Sequence, residues 1–369
     1  LKDVIIVGGG LAGLISGILL AKAGISATLI EKKSYPFHRV CGEYISNEVV
    51  PFLRRENLFP SDLNPSLINE FELSSVTGAR TVNSLVMGGF GISRFSFDHY
   101  LFNEAKKCGV NILQNCDVEE IRFQGEKFFV VTKNETFQSN IVIGSFGKRS
   151  KLDVSLKRAF IKQRSPYTGV KYHIRTEHPP NRISLHNFPG GYCGVSNVED
   201  GITNLCYLTE RKKIRQAGTI QRLEEEILSQ NPFLKNIFRE SEFLFDKPEV
   251  INEISFESKA PVENHIIMVG DSAGMIAPLC GNGMAMAIHS AKLSAEVIID
   301  FCTGKISRPE MEKTYADLWR KNFQNRLWRG RHIQKLFGNP ILSAIAVNLL
   351  MSSKRLSSAI IKSTHGEYF

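Results

Sequence analysis

Near the start of the chain, Val4-Ile5-Ile6-Val7-Gly8-Gly9-Gly10-Leu11-Ala12-Gly13 sets glycines in the pattern Gly-x-Gly-x-x-Gly directly behind an apolar run. The chemistry this suits is the binding of a dinucleotide diphosphate. Gly8 permits a tight turn, Gly10 lets backbone approach the phosphates, and Gly13 lets the next helix pack closely on the strand. The diphosphate then meets the amides of a helix N-terminus. Glu31 lies 18 residues beyond Gly13 and ends a second apolar stretch, Ala27-Thr28-Leu29-Ile30. An acid there accepts hydrogen bonds from a ribose diol, which favours an adenosine ribose without a 2′-phosphate.

This pattern does not separate NAD from FAD, and a second motif far down the chain does. Residues 266 to 289 run from Ile-Ile-Met-Val into Gly270-Asp271, then through Gly274, Pro278 and Cys280 to Gly281-Asn282-Gly283 and an Ala/Met-rich segment ending at His289. Asp271, at the C-terminal end of a strand, can accept from ribityl hydroxyls. The amides of a helix starting at Gly281-Asn282-Gly283 can stabilise negative charge on a reduced isoalloxazine. The plain alternative is an ordinary strand, turn and helix.

With both motifs, the chain resembles the glutathione-reductase-type FAD family, in the branch that holds aromatic hydroxylases, geranylgeranyl reductases and flavin-dependent halogenases. Phe37-His38-Arg39-Val40-Cys41-Gly42-Glu43-Tyr44-Ile45-Ser46 resembles the Cys-Gly-Glu segment of the geranylgeranyl reductases. Ile92-Ser93-Arg94-Phe95-Ser96-Phe97-Asp98-His99-Tyr100-Leu101, with Ala105 and Gly109 beyond, is similar to the Arg-x-x-Phe-Asp-x-x-Leu helix start of the branch. Gly190-Gly191-Tyr192 before Gly194 stands where that group carries a substrate-face motif. The resemblance covers roughly residues 1 to 305. It implies an FAD cofactor, Cys41 at the flavin face as a proton donor, and Tyr192 on the substrate side. Cys41 has a bland reading as a small buried filler, and Glu43 reads equally as a solvated helix-capping acid. Arg39 and Arg94 suit bidentate contacts to the FAD phosphates, with a surface ion pair as the alternative.

Two departures narrow the reading. Ile143-Gly144-Ser145-Phe146-Gly147 puts phenylalanine where the branch carries the aspartate of Ala-Asp-Gly. The only tryptophans are Trp319 and Trp328, so the tryptophan pair of the halogenases is missing. No second glycine pattern follows a strand, so NAD(P)H is expected only as a transient reductant, replaceable by a protein donor. His38, His99 and His289 have no partner pattern, and His173, His178 and His186 show neither metal-ligand nor nucleophile spacing. No metal site is expected.

The elements that must position these residues follow from periodicity. Helical spacing covers Leu11 to Ala23, Phe97 to Cys108, Thr219 to Ser229 and Met284 to Phe301. Strand-like stretches are 109–113, 118–123, 128–132 and 141–144, with several more between Gly169 and Leu208. The expected fold is α/β (α+β overall): a Rossmann-like FAD/NAD(P)-binding domain, an inserted mixed β-sheet substrate domain and a C-terminal helical tail. The FAD-binding domain is expected at 1–64, 93–154 and 253–305, the substrate domain at 65–92 and 155–252, and the helical region at 306–369.

Seven cysteines without a Cys-x-x-Cys pair argue against a disulfide framework and a zinc site, and fit a reducing cytoplasm. The N-terminus enters the first strand directly, with no room for a signal peptide, and no apolar run reaches the ~18 residues of a spanning helix. From Arg308 onward, eleven Lys/Arg face four acids, so the tail carries +7 of the net +9. Beside that charge lies the apolar run from Pro340 to Met351. The tail reads either as a basic solvated helix or as a contact to an anionic surface, such as lipid headgroups at the inner membrane face, an acidic carrier protein or a substrate diphosphate. Nucleic acid is not expected, because no binding motif accompanies the charge. The functional expectation is an FAD-dependent oxidoreductase that reduces double bonds of an isoprenoid or other long apolar substrate. The alternative is a single-component aromatic hydroxylase acting on a phenol or polyketide, and a flavin electron carrier comes third.

Overall fold

The computed structural model describes residues 2–163, 165–277, 281–334, 337–352 and 365–369. Pro278 and Cys280 of the second motif, and Lys335, Lys354, Arg355 and Lys362 of the tail, lie outside the described residues.

The first sheet has eight strands. Its spine runs Ile266–Met268, Thr136–Gly144, Lys2–Val7, Ala27–Ile30 and Asn111–Leu113, all parallel. The hairpin of Val118–Gln124 and Lys127–Thr132 joins antiparallel to Thr136–Gly144. Burial on both faces explains the unbroken apolar runs in this spine. Helix Leu11–Lys22 packs against helices Arg94–Lys107 and Gly283–Cys302. It is apolar nearly all round and accordingly buried on almost every side. Its close seat on the strand depends on Gly13, where a Cβ would strike the Gly8 carbonyl oxygen.

The second sheet has nine strands. Along it run Glu242–Phe243, Tyr167–Arg175, Thr203–Glu210, Gly191–Asn197, Arg182–Phe188, Ser66–Ser74, Arg80–Gly91 and Tyr44–Ser46, with Glu249–Ile254 also pairing to Tyr167–Arg175. Pairing is antiparallel except between Arg182–Phe188 and Ser66–Ser74, where Ile183 faces Phe71 and Leu185 faces Leu73. Segments distant in sequence meet at this parallel junction. The period of two sorts the side chains. Val170, Tyr172, Cys193, Val195, Leu205 and Tyr207 pack with Leu223, Leu228 and Leu234 of the segment 211–240. The alternate residues Leu185, Tyr192 and Leu208 turn to the other face, together with Met275, Val347 and Leu350.

Most of the described tail is helical. Arg308–Trp319 continues through a π turn, Arg320–Gln324, into Asn325–Gln334, and a separate helix spans Pro340–Ser352. A buried ion pair from Arg326 to Glu48 (2.9 Å) and stacking of Phe369 on His289 (3.9 Å) tie the C-terminal region to the body.

Overpacking of this kind costs about 1–3 kcal/mol. Gly13→Ala is therefore expected to lower the urea unfolding midpoint with the slope unchanged. An unaltered midpoint would contradict the close approach at Gly8.

Candidate functional site

A cavity of about 880 Å³ opens between the two sheets. Gly8, Gly10, Glu31, Arg39, Cys41, Arg94, Tyr192, Asp271, Gly281 and Gly283 all line it. Gly13 and Asn282 do not line it; Gly13 seats the first helix and buried Asn282 is the N-cap residue of helix Gly283–Cys302.

Two helix N-termini open onto this space. Gly10 is the N-cap of Leu11–Lys22 and has no side chain with which to cap, so the first-turn amides are left for a ligand. A Cβ on Gly8, whose φ is +104°, would strike the Ser145 carbonyl, whereas one on Gly10 would meet only Arg94 Nη2, at 3.5 Å. The slot beside Gly10 is thus open and edged by a cation, which fits a diphosphate. The N-terminus of Gly283–Cys302 faces the cavity through Gly281, Gly283 and Met284.

Beside the slot runs a chain of alternating charges. Buried Glu31 accepts from the Gly9 amide (2.8 Å), the Lys33 amide (3.0 Å) and Arg39 (3.2 Å). Arg39 also donates to Asp98 (3.0 Å), and Arg94 grips the same carboxylate twice, at 2.7 Å each. Burial works against the Arg94 charge, yet Asp98 outweighs it and holds the guanidinium more firmly protonated than usual. Both arginines are therefore ion-paired and both border the cavity. Tyr35, which sequence reasoning passed over, donates its hydroxyl to the Gly9 carbonyl (2.5 Å).

Asp271 sits on the turn Gly270–Ser272 with its side chain half-buried. Two buried cations hold that turn by its backbone. Lys259 Nζ donates to the carbonyls of Asp271 (2.7 Å) and Lys148 (2.8 Å), and Arg158 donates to the Ser272 carbonyl (2.9 Å). Burial pushes the Lys259 ammonium down to about 8. The Gly147 amide donates to Ser272 Oγ (2.9 Å), so the loop carrying Phe146 and the Asp271 turn are fastened together.

The Cys41–Glu43 segment is pinned residue by residue. Asn204 donates to the Cys41 carbonyl (3.3 Å) and Ser196 to the Gly42 carbonyl (3.4 Å). Glu43 corrects the expectation of a solvated acid: it is fully buried, with a left-handed φ of 54°. It does sit at a helix start, accepting from the Arg94 amide (2.7 Å), but it also takes Lys171 Nζ (2.5 Å) and His173 Nε2 (2.7 Å). Burial alone would raise its carboxyl, and Lys171 and His173 overcome that and hold it at about 2. His38 stands edge-on to His173 at 5.1 Å, and burial, Lys171 and His173 push it down to about 4. The only sequence signal for Lys171 and His173 was their alternation with Val170, Tyr172 and Ile174 along one strand.

Asp271→Ala is expected to weaken FAD binding about ten- to a hundredfold, the ~1.5–3 kcal/mol of a hydrogen bond to a charged group. Fluorescence titration of the apoprotein measures it, and an unchanged Kd would remove Asp271 from the site. Buried histidines set a second expectation. Burial holds His38 and His178 near 4 and His186 and His289 near 3, below the ordinary imidazole value of 6.5. Between those values the unfolded chain binds more protons, so stability falls as pH drops from about 6.5 towards 4. Glu43, depressed from 4.5 to about 2, extends the loss to lower pH. A melting temperature that stays flat from about pH 7 to 4 would contradict this account.

Comparison with known proteins agrees with this geometry. The chain is 25% identical to the digeranylgeranylglycerophospholipid reductase of Methanosarcina acetivorans, over 86% of this chain and 80% of that protein. A geranylgeranyl bacteriochlorophyll reductase-like protein from Thermoplasma acidophilum superposes with a TM-score of 0.75 at 19% identity, covering 99% of this chain and 92% of its own. The flavin-dependent brominase Bmp2 superposes with a TM-score of 0.79 at 18% identity, covering 98% and 93%. The two structural likenesses show the α/β fold alone. The FAD binding domain family matches residues 2–321. With that match over most of its length, and a cradle of glycines and helix N-termini that fits the cofactor, the chain belongs to the FAD binding domain family and is an FAD-dependent oxidoreductase.

Proposed function

We propose that this enzyme reduces carbon–carbon double bonds of an isoprenoid or other long apolar substrate; its relatives include a digeranylgeranylglycerophospholipid reductase and a geranylgeranyl bacteriochlorophyll reductase-like protein. The observation that carries this reading is the lining of the cavity beyond the flavin cradle. There the second sheet contributes Ile183, Leu185, Leu208, Ile251 and Ile254, joined by Met275, and Cys41 lines the same cavity. An apolar chain gains about 0.8 kcal/mol per buried methylene in such a lining.

Bound FAD, once reduced, supplies the hydride. The protein's own part is the proton and the geometry. Cys41 supplies the proton to the second carbon, and Asn204, Ser196 and the Glu43 cluster hold the backbone of its segment against the second sheet. With Phe146 in the loop fastened to Asp271, NAD(P)H acts transiently or yields to a protein donor.

Cys41→Ser should keep FAD bound and accept electrons, yet slow turnover of a polyprenyl substrate by roughly 10²–10⁴-fold, as for a positioned general acid. The measurement is anaerobic turnover of pre-reduced enzyme, wild type against variant. Product that forms only when oxygen is admitted, with the variant as active as wild type, would replace this reading by aromatic hydroxylation.

A further inference from the structure

Cys41 and Cys206 carry free thiols, line the same cavity and are each half-buried. The contacts of residues 40 to 43 bring them together. On strand Thr203–Glu210, Asn204 precedes Cys206 by two positions and Leu208 follows it by two, so the three share one face. Asn204 donates to the Cys41 carbonyl (3.3 Å). Gly169 stands opposite Leu208, and because it has no side chain Val40 settles there, its Cγ1 3.1 Å from where a Gly169 Cβ would be. Lys171 stands opposite Cys206 and turns to the same face, where it meets Glu43. On the other side of Cys206 stands Gly194, which adds no side chain. Residues 40 to 43 therefore cross the strand at the level of Cys206, with Cys41 between the Leu208 and Asn204 positions.

The electrostatics agree with that proximity. Enclosure between the sheets pushes the Cys206 thiol up to about 12, and of the groups around it Cys41 acts on it most, ahead of Lys148, Lys171 and Glu43. Cys206 is thus protonated at neutral pH, and attack on an electrophile begins at Cys41. Neither of two nearby cysteines competes for the same place. Cys193 faces the opposite side of the sheet with Val195 and Tyr207, and Cys116 sits beside Glu31, whose carbonyl takes its amide (3.1 Å).

We propose that Cys41 and Cys206 form a modification site, which hydrogen peroxide converts into a reversible disulfide. The Cys41 sulfur attacks one peroxide oxygen, the O–O bond breaks, and a sulfenic acid and one water result. The Cys206 sulfur then displaces the sulfenic oxygen, which leaves with the Cys206 proton as a second water while the S–S bond forms. Two thiols lose two electrons and one peroxide gains them. An added dithiol reverses the change by exchange. With a resolving thiol in place, Cys41 does not pass on to the irreversible sulfinic acid. On the reductase reading, the cross-link withholds the Cys41 proton and turnover stops until the bond is reduced. That consequence rests on the proposed function, whereas formation of the bond does not.

The test treats the full-length, FAD-loaded protein with a few equivalents of hydrogen peroxide, blocks the remaining thiols with iodoacetamide and maps peptides by mass spectrometry without reduction. A peptide pair joined through Cys41 and Cys206 is expected, and dithiothreitol should return both thiols. In Cys206→Ser the cross-link should be absent, and the dimedone adduct on Cys41 should rise about tenfold or more over wild type, because the sulfenic acid has no resolving thiol. In Cys41→Ser, Cys206 should stay a free thiol. Four outcomes would overturn the inference: both thiols untouched by peroxide, Cys41 of the wild type taken to sulfinic acid while Cys206 stays free, Cys41 bridged to a different cysteine or to a second chain, or a dimedone signal indifferent to Cys206→Ser. The wild-type map decides the matter even where a variant folds poorly. Because no turnover is read, failure of the reductase reading leaves this result standing, and the reverse also holds.

Discussion

The buried carboxylate of Glu43 is the joint on which the two halves of this enzyme depend. It receives the backbone amide of Arg94 from one side and the Lys171 and His173 side chains from the other. Arg94 opens a helix packed with the first sheet, while Lys171 and His173 belong to a strand of the second. A buried charge is tolerated only when its partners are in place, and stripping one away leaves an uncompensated ion in a dry interior. The docking of the sheets and the ionisation of this cluster are therefore one event. Glu199 repeats the arrangement nearby, with its carboxylate on the Ser93 amide (2.8 Å) and hydroxyl. Cys41, two residues before Glu43, takes its place from that joint.

Around it the chemistry divides by side. On the first sheet, backbone does the work: glycines leave an open slot beside Gly10, two helix N-termini open onto the cavity, and Lys259 and Arg158 hold the Asp271 turn by its carbonyls. On the second sheet, side chains do the work, and strand alternation sends aliphatic residues into the cavity while their neighbours pack under the segment 211–240. One cavity can thus be polar where a dinucleotide lies and apolar where a hydrocarbon would. The C-terminal helix adds Val347 and Leu350 to the apolar cluster of Leu185, Tyr192 and Leu208.

Much of the first half was legible in the sequence, because it is local. Gly8, Gly10 and Gly13 define a turn and a helix start within six residues, and Glu31 ends the very next strand. Helices Leu11–Lys22, Arg94–Lys107 and Gly283–Cys302 begin and end within three residues of the spans expected from periodicity. The segment read as one helix from Thr219 to Ser229 is instead Ile220–Glu226 followed by a 3₁₀ turn at Leu228–Gln230. The strands Ser66–Ser74 and Arg80–Gly91 carry too many polar residues for their pattern to stand out, and they were expected only as part of an inserted sheet.

What the sequence by itself determined is where backbone must turn, where helices start, and hence that a dinucleotide diphosphate has a seat. Tertiary structure alone decided which charges meet. Glu43 read equally as a solvated helix-capping acid and nothing in the sequence singled out Lys171, yet they pair across 128 residues. His173 joins them across 130. Arg39 and Arg94 were readable as phosphate contacts or as an ion pair, and the fold brings both onto Asp98. The reason is physical: a carboxylate carries the same letter in water or in a dry core, and only the register of distant strands determines which of these surrounds it.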